Sequence, residues 1–147
     1  GIRVVVDATK DLLLNVLKYH PFLIKPNNHE LGEMFGTVCK TDEDIIHYAK
    51  KLQEMGAVNV LISMAGDGAI LITEDGQNIK MGTPKGKVVN SVGAGDSMVA
   101  GFITGYIRGG NYEEALKSGT AAGSATAFSE GLASLEMYEK MLKQITE

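Results

Sequence analysis

The run Val-Asn-Ser-Val-Gly-Ala-Gly-Asp-Ser-Met-Val-Ala-Gly-Phe at residues 89–102 constrains this chain more than any other stretch. Two glycines, Gly93 and Gly95, stand just before a carboxylate, Asp96, and an apolar pattern then begins. Val99, Phe102, Ile103, Tyr106 and Ile107 follow the i, i+3, i+4, i+7, i+8 spacing of one buried helix face. Residues without side chains at a helix start leave backbone N–H groups free to meet an anion, and the helix dipole favours negative charge there. An aspartate in the same turn belongs in an anion site when it has a chemical task. Accepting a proton from a hydroxyl that attacks a bound phosphate is such a task. The combination predicts phosphoryl transfer.

Spacing separates this from other glycine motifs. A dinucleotide fingerprint needs a third glycine where Met98 stands, and a serine-hydrolase elbow needs glycine where Val99 stands. A Walker-type loop needs four residues between its first glycine and Gly-Lys. Gly82 and Gly86-Lys87 enclose three, with no Ser or Thr following. A glycine-rich turn that merely packs a helix closely onto a sheet remains the bland alternative.

The chain has 147 residues, 44% of them hydrophobic, which is enough for one core and one domain. A net charge of −4 lacks the basic footprint of a nucleic-acid or acidic-membrane surface. Apolar runs are only a handful of residues long, so no membrane span is expected. Residues 1–6 read as a strand inside a fold rather than a leader segment. Cys39 is the single cysteine, which excludes an internal disulfide and makes a reducing cytoplasm the expected compartment.

Strand and helix signals alternate along the chain. Strands are expected at residues 2–6, 22–24, 58–64, 69–73 and 78–81, with Asp75-Gly76 as a hairpin turn. Helices are expected around residues 12–17, at 28–35 closed by Gly36, and after Thr41, whose partner Asp44 resembles a capping box. Gly109-Gly110 ends the helix that follows Asp96, and Asn111 with Glu114 caps the next. A last helix covers residues 135–145. The small residues Gly119, Ala122, Gly123 and Ala127 suit close helix packing or a flat ligand, with packing the plainer reading. The expected fold is α/β: a mainly parallel sheet with helices on both faces and an antiparallel hairpin. His20 is expected in a turn and His47 on a solvated helix face. No histidine pair has the spacing and third partner of a zinc site.

Asn90 to Ser97, preceded by Lys25-Pro26-Asn27-Asn28-His29-Glu30 and Ser63-Met64-Ala65-Gly66-Asp67-Gly68-Ala69, resembles the ribokinase-like (PfkB) carbohydrate kinases. The three motifs occur in the family's order and cover most of the chain. Within the family the wording most resembles bacterial 1-phosphofructokinases, with tagatose-6-phosphate kinases second. The resemblance implies ATP-dependent phosphorylation of a sugar phosphate, such as fructose 1-phosphate to fructose 1,6-bisphosphate. It implies that Asp96 is the catalytic base and that the N–H groups of Gly93, Ala94 and Gly95 form the anion hole. Asn27 and Glu30 match the Asn-x-x-Glu motif that organises Mg²⁺, partly through water. Lys25, Asn27, Ser63, Ala65, Gly66, Asp67 and Gly68 would line the ATP side.

Two departures from the family pattern carry expectations of their own. Asn90 stands where many relatives have an aspartate that helps hold a monovalent cation, which argues against K⁺ activation. The family's first half, with its sugar-binding glycines, acidic residue and β-sheet lid, has no counterpart in these residues. The chain therefore reads as the C-terminal, nucleotide-binding half of such a kinase, inactive alone, with a homodimer expected of the full-length protein. A rival reading of another class is a non-catalytic nucleotide-binding fragment.

Overall fold

Pro21 and Pro26 bracket an apolar stretch too short for a long strand, and the parallel sheet is built to that scale. In the computed structural model, which describes residues 1–146, β1 (Val5–Val6) and β2 (Leu23–Ile24) pair in parallel. Val5 lies opposite Leu23, and Val6 opposite Ile24. The strand expected over residues 2–6 is thus only two residues long. Phe22 N–H donates to Val4 O at 2.7 Å, but Pro21 has no N–H and that of His20 goes to Leu17 O. Neither Pro21 nor His20 therefore donates a backbone N–H to the first strand.

β3 (Asn59–Ser63) extends the parallel ladder beside β2, and β4 (Ala69–Ile72) and β5 (Asn78–Met81) complete the order β1-β2-β3-β4-β5. The Asp75-Gly76 hairpin forms as expected: Thr73 N–H donates to Gln77 O, and the Thr73 hydroxyl bonds the Asp75 carboxylate. That bond holds the Asp75 carboxyl below its ordinary range.

The described residues fall into two compact units, where composition alone predicts one core. The first comprises residues 1–64 and 70–80, the second 65–69 and 81 onward. In the first, α1 (Lys10–Val16), α2 (Asn28–Met34) and α3 (Asp42–Glu54) surround a core that includes Leu13, Ile24, Leu31, Leu52, Ile62 and Ile70. α3 starts as the sequence predicts. Thr41 Oγ1 accepts from Asp44 N–H, and Asp44 accepts from the N–H groups of Lys40 and Thr41. Those donors lower the Asp44 carboxyl below the usual carboxylate range. Cys39 is half-buried, and burial raises its thiol.

The second unit is helical: α4 (Ala94–Gly109), α5 (Tyr112–Ala127) and α6 (Leu135–Thr146). The buried face of α4 corrects the expectation. Met98, Gly101, Phe102 and Gly105 are buried, whereas Val99, Ile103 and Tyr106 are only partly so and Ile107 is 75% exposed. Backbone proximity decides the face, because a Cβ on Gly101 or Gly105 would lie 2.6 Å from Ser118 O or Glu114 O of α5. Glycine is the side-chain choice where two helix backbones approach this closely. Gly119 and Gly123 meet Met98 O and Ala94 O from the α5 side, so the small-residue stripe is helix packing. Met141 of α6 joins Ala121 and Ala125 in a separate small core, and Ser118 Oγ bonds Tyr138 Oη at 2.8 Å. No described helix is long and apolar enough to cross a membrane.

Candidate active site

The first group of expected site residues gathers at the C-terminal ends of the parallel strands, where open α/β sheets bind ligands. Continuing the β1–β2 register by one residue sets Asp7 beside Lys25, and their side chains pair at 3.6 Å. Lys25 is buried and Asp7 partly exposed, so the lysine's charge is already partnered within its own unit. Asp7 was not singled out from the sequence. Its position directly after a β-branched run was the available signal.

Two residues further, Asn27 bridges Ser63 at the end of β3, and Ser63 N–H donates to Pro26 O at 3.2 Å. Asn27 also caps α2. Its Oδ1 accepts from Glu30 N–H at 2.8 Å, while Glu30 Oε2 accepts from Asn27 N–H at 2.9 Å. The pair expected to organise a metal is thus a complete capping box. One Glu30 oxygen, Oε1, takes no part in it. Among the described residues no cluster of three or more His, Cys, Asp or Glu could hold a metal by itself. A hydrated Mg²⁺ keeping most of its waters and taking one carboxylate oxygen suits this donor set. His29, inside the motif, is exposed, as is His47, and His20 sits in a turn with Nδ1 3.0 Å from Gly56 O.

The strand-end turn 65–68 opens with Ala65 at φ +47°, a left-handed conformation uncommon for a residue with a Cβ. Thr83 Oγ1 donates to Ala65 O at 3.0 Å and holds this turn. Gly66 and Asp67 are exposed; Gly68 is buried.

The second group is the start of α4. Gly93 is the N-cap, at φ +81° and with no side chain to accept from the helix. Ala94 N–H donates to Ser91 O at 3.1 Å, which removes it from the expected trio of anion donors. The N–H groups of Gly93, Gly95 and Asp96 make no bond to the described chain, and these three form the available cluster. Asp96 is exposed in the first turn, and its carboxylate takes no part in a cap. Asn90, at the entrance, uses both ends of its amide: Nδ2 donates to Glu130 O at 3.2 Å and Oδ1 accepts from Val92 N–H at 3.0 Å. Val89 and Asn90 N–H groups both donate to Ala127 O, at 2.8 and 3.1 Å. A loop of backbone donors beside an uncommitted carboxylate can receive an anion and take up a proton next to it.

The model of the pfkB family carbohydrate kinases matches residues 2–137. A 1-phosphofructokinase of Bacillus subtilis is 50% identical over 143 residues, covering 97% of this chain and 47% of the relative. A Staphylococcus aureus protein provisionally named a phosphofructokinase superposes with a TM-score of 0.93 at 47% identity, over 98% of this chain and 47% of the other. The ribokinase of Arabidopsis thaliana complexed with ribose and ATP gives a TM-score of 0.81 at 26% identity, over 97% of this chain and 48% of the other. The chain thus spans about half the length of the relatives it matches.

Proposed function

Since the chain belongs to the pfkB family of carbohydrate kinases, we propose that it carries the phosphoryl-transfer half of an ATP-dependent sugar-phosphate kinase whose acceptor is fructose 1-phosphate. The 50% identity to a 1-phosphofructokinase supports the acceptor, and the likeness to a ribokinase holding ATP supports the donor. One observation carries the reading: Asp96 lies in the first turn of an uncapped helix, its carboxylate uncommitted, next to unpaired N–H groups. A module that only gripped phosphate would gain nothing from a carboxylate there.

In the proposed reaction the acceptor hydroxyl of the sugar phosphate loses its proton to Asp96 as its oxygen attacks the γ-phosphorus of ATP. The bond from that phosphorus to the bridging oxygen breaks, and ADP leaves with the electron pair. N–H groups of Gly93, Gly95 and Asp96 receive the charge on the transferring group, where fixed donors are most effective if water is excluded. Glu30 and Asn27 would hold Mg²⁺, mostly through its waters, and the ion would offset phosphate charge. Lys25, Ser63 and the turn 65–68 are the residues that the family resemblance assigns to ATP. Asn90 fills its place without a cation, because its amide N–H already satisfies Glu130 O. We accordingly propose an enzyme that does not need K⁺.

The test is a coupled assay of the protein at the relatives' full length, with ATP, Mg²⁺ and a panel of ketose phosphates, the product identified by mass and NMR. Fructose 1-phosphate is expected to give fructose 1,6-bisphosphate at the highest kcat/KM. Residues 1–147 assayed alone are expected to bind ATP weakly and to turn over nothing, since acceptor orientation can be worth ~7–11 kcal/mol of barrier. ATP binding without transfer by the full-length protein would establish the non-catalytic module instead.

A further inference from the structure

The turn that carries Asp96 is held at both ends by two consecutive residues of α5. At the entrance, Ala127 O accepts from Val89 N–H and Asn90 N–H. At the exit, the hydroxyl of Thr126 lies 2.8 Å from Ser97 Oγ, one residue beyond Asp96. The entrance tie is backbone. The exit tie rests on two side chains, and one of them is almost completely buried: Thr126 is 1% exposed.

Thr126 does more than meet Ser97. Its Oγ1 accepts from Ala133 N–H at 3.3 Å, which fastens the loop leading to α6 onto the same point. Its methyl carbon lies 3.9 Å from the place a Cβ on Gly93 would occupy, beneath the N-cap of α4. A threonine has one O–H donor and two acceptor lone pairs, and the hydroxyl here joins three chain segments at once. A helix start without a side-chain cap has little of its own to fix it, so an external tie one residue from the base governs where that base stands.

We propose that Thr126, acting through Ser97, is a positioning residue that fixes the first turn of α4, and with it the Asp96 carboxylate, for proton transfer. The proposal rests on the reading of Asp96 as the base. Its effect falls on kcat, because nucleotide contacts made before proton transfer do not depend on sub-ångström placement of the carboxylate.

The experiment compares Thr126→Val, Thr126→Ser and Ser97→Ala with the parent in the catalytically competent protein. Thr126→Val keeps the shape and removes the hydroxyl; kcat is expected to fall about 10- to 100-fold with the KM for ATP within about threefold. Thr126→Ser is expected to recover kcat to within about threefold. Ser97→Ala is expected to fall in the same range but no further than Thr126→Val, which also frees Ala133 N–H, and the double variant to be no worse than Thr126→Val. Should Thr126→Val not fold, Ser97→Ala alone decides, since it removes the hydroxyl partner from a partly exposed site. Parent-like kcat in a folded Thr126→Val or Ser97→Ala variant overturns the proposal. An active Asp96→Asn variant overturns the base itself, a different failure from a dead Asp96→Asn beside a fully active Thr126→Val.

Discussion

The starts of α2 and α4 set the same residue type at the same place and use it differently. Each has an acid three residues after its N-cap: Glu30 after Asn27, Asp96 after Gly93. In α2 the acid reaches back to the N-cap N–H and the asparagine reaches forward, so both polar side chains serve the backbone. Asp44 after Thr41 repeats this at α3. At α4 the N-cap is a glycine in a left-handed conformation, the acid makes no such bond, and the first-turn donors stay open. A carboxylate spent on a cap and one left uncommitted are thus told apart by the residue three places earlier. Where that residue can cap, the helix closes itself; where it cannot, the dipole and the carboxylate are left for a ligand.

The most severe way to break the contrast is Asp96→Asn. In the competent kinase it should lower kcat at least ~10²-fold with little change in the KM for ATP, because base assistance exists only in the transition state. Steady-state kinetics at saturating fructose 1-phosphate reads this directly, and near-parent turnover would return Asp96 to the status of a helix-start acid.

Gly93→Ala should come next. Its φ of +81° is strained for any residue with a Cβ, and the nearest atom, Leu132 Cδ2 at 3.5 Å, is an ordinary contact. The loss is therefore conformational, about 1–2 kcal/mol in a denaturation curve, with kcat falling more than stability alone accounts for. An alanine variant as stable as the parent would mean that the N-cap geometry is not needed.

Glu30→Gln sharpens the comparison from the other side. An amide oxygen still accepts from Asn27 N–H, so the melting temperature should hold, while the Mg²⁺ concentration for half-maximal rate should rise several-fold, to an extent on the order of that for losing one carboxylate ligand. If the Mg²⁺ titration does not move, the Asn27–Glu30 pair is a cap and nothing more.

Asn90→Asp replaces the donor facing Glu130 O by a second acceptor. Two oxygens without a proton between them invite a cation, so this variant should lose part of its rate in Na⁺-free, K⁺-free buffer and regain it with K⁺. A response of the parent to K⁺ would count against the reading of Asn90.

The smallest effect belongs to Asp44. Its folded carboxyl is lowered by the N–H donors of Lys40 and Thr41, so its contribution is complete above the ordinary carboxylate range and disappears as pH falls through the lowered value. The difference in urea midpoint between the parent and Asp44→Ala should be present at neutral pH and shrink steadily under acid. A gap that stays constant into acid would assign the effect to the Thr41 side of the box.

Features set by neighbouring residues were readable from the chain. Thr41 with Asp44, Asn111 with Glu114, Asp75-Gly76 and Gly110 all act within a few bonds, and each does what its chemistry dictates. Features set by distant partners were not. The buried face of α4 follows glycines that touch α5 rather than the larger apolar side chains, so Ile107 is exposed against expectation. β1 is short because Pro21 and the turn ending at His20 withhold donors from it. At the site, the acid and the glycines were legible as a motif, whereas Ala94's bond to Ser91 and Lys25's pairing with Asp7 depend on geometry that no spacing rule contains.

The backbone contact between α4 and α5 has a mechanical consequence. Helices that touch through long side chains can slide as rotamers change, but Gly101, Gly105, Gly119 and Gly123 provide no such bearing. The two sixteen-residue helices, each about 24 Å long, should therefore move as a single beam with the Gly93–Asp96 turn at one end. A displacement of that turn should then be carried to the Gly110–Asn111 corner. Along this seam the amide protons should be among the slowest in the chain to exchange with deuterium.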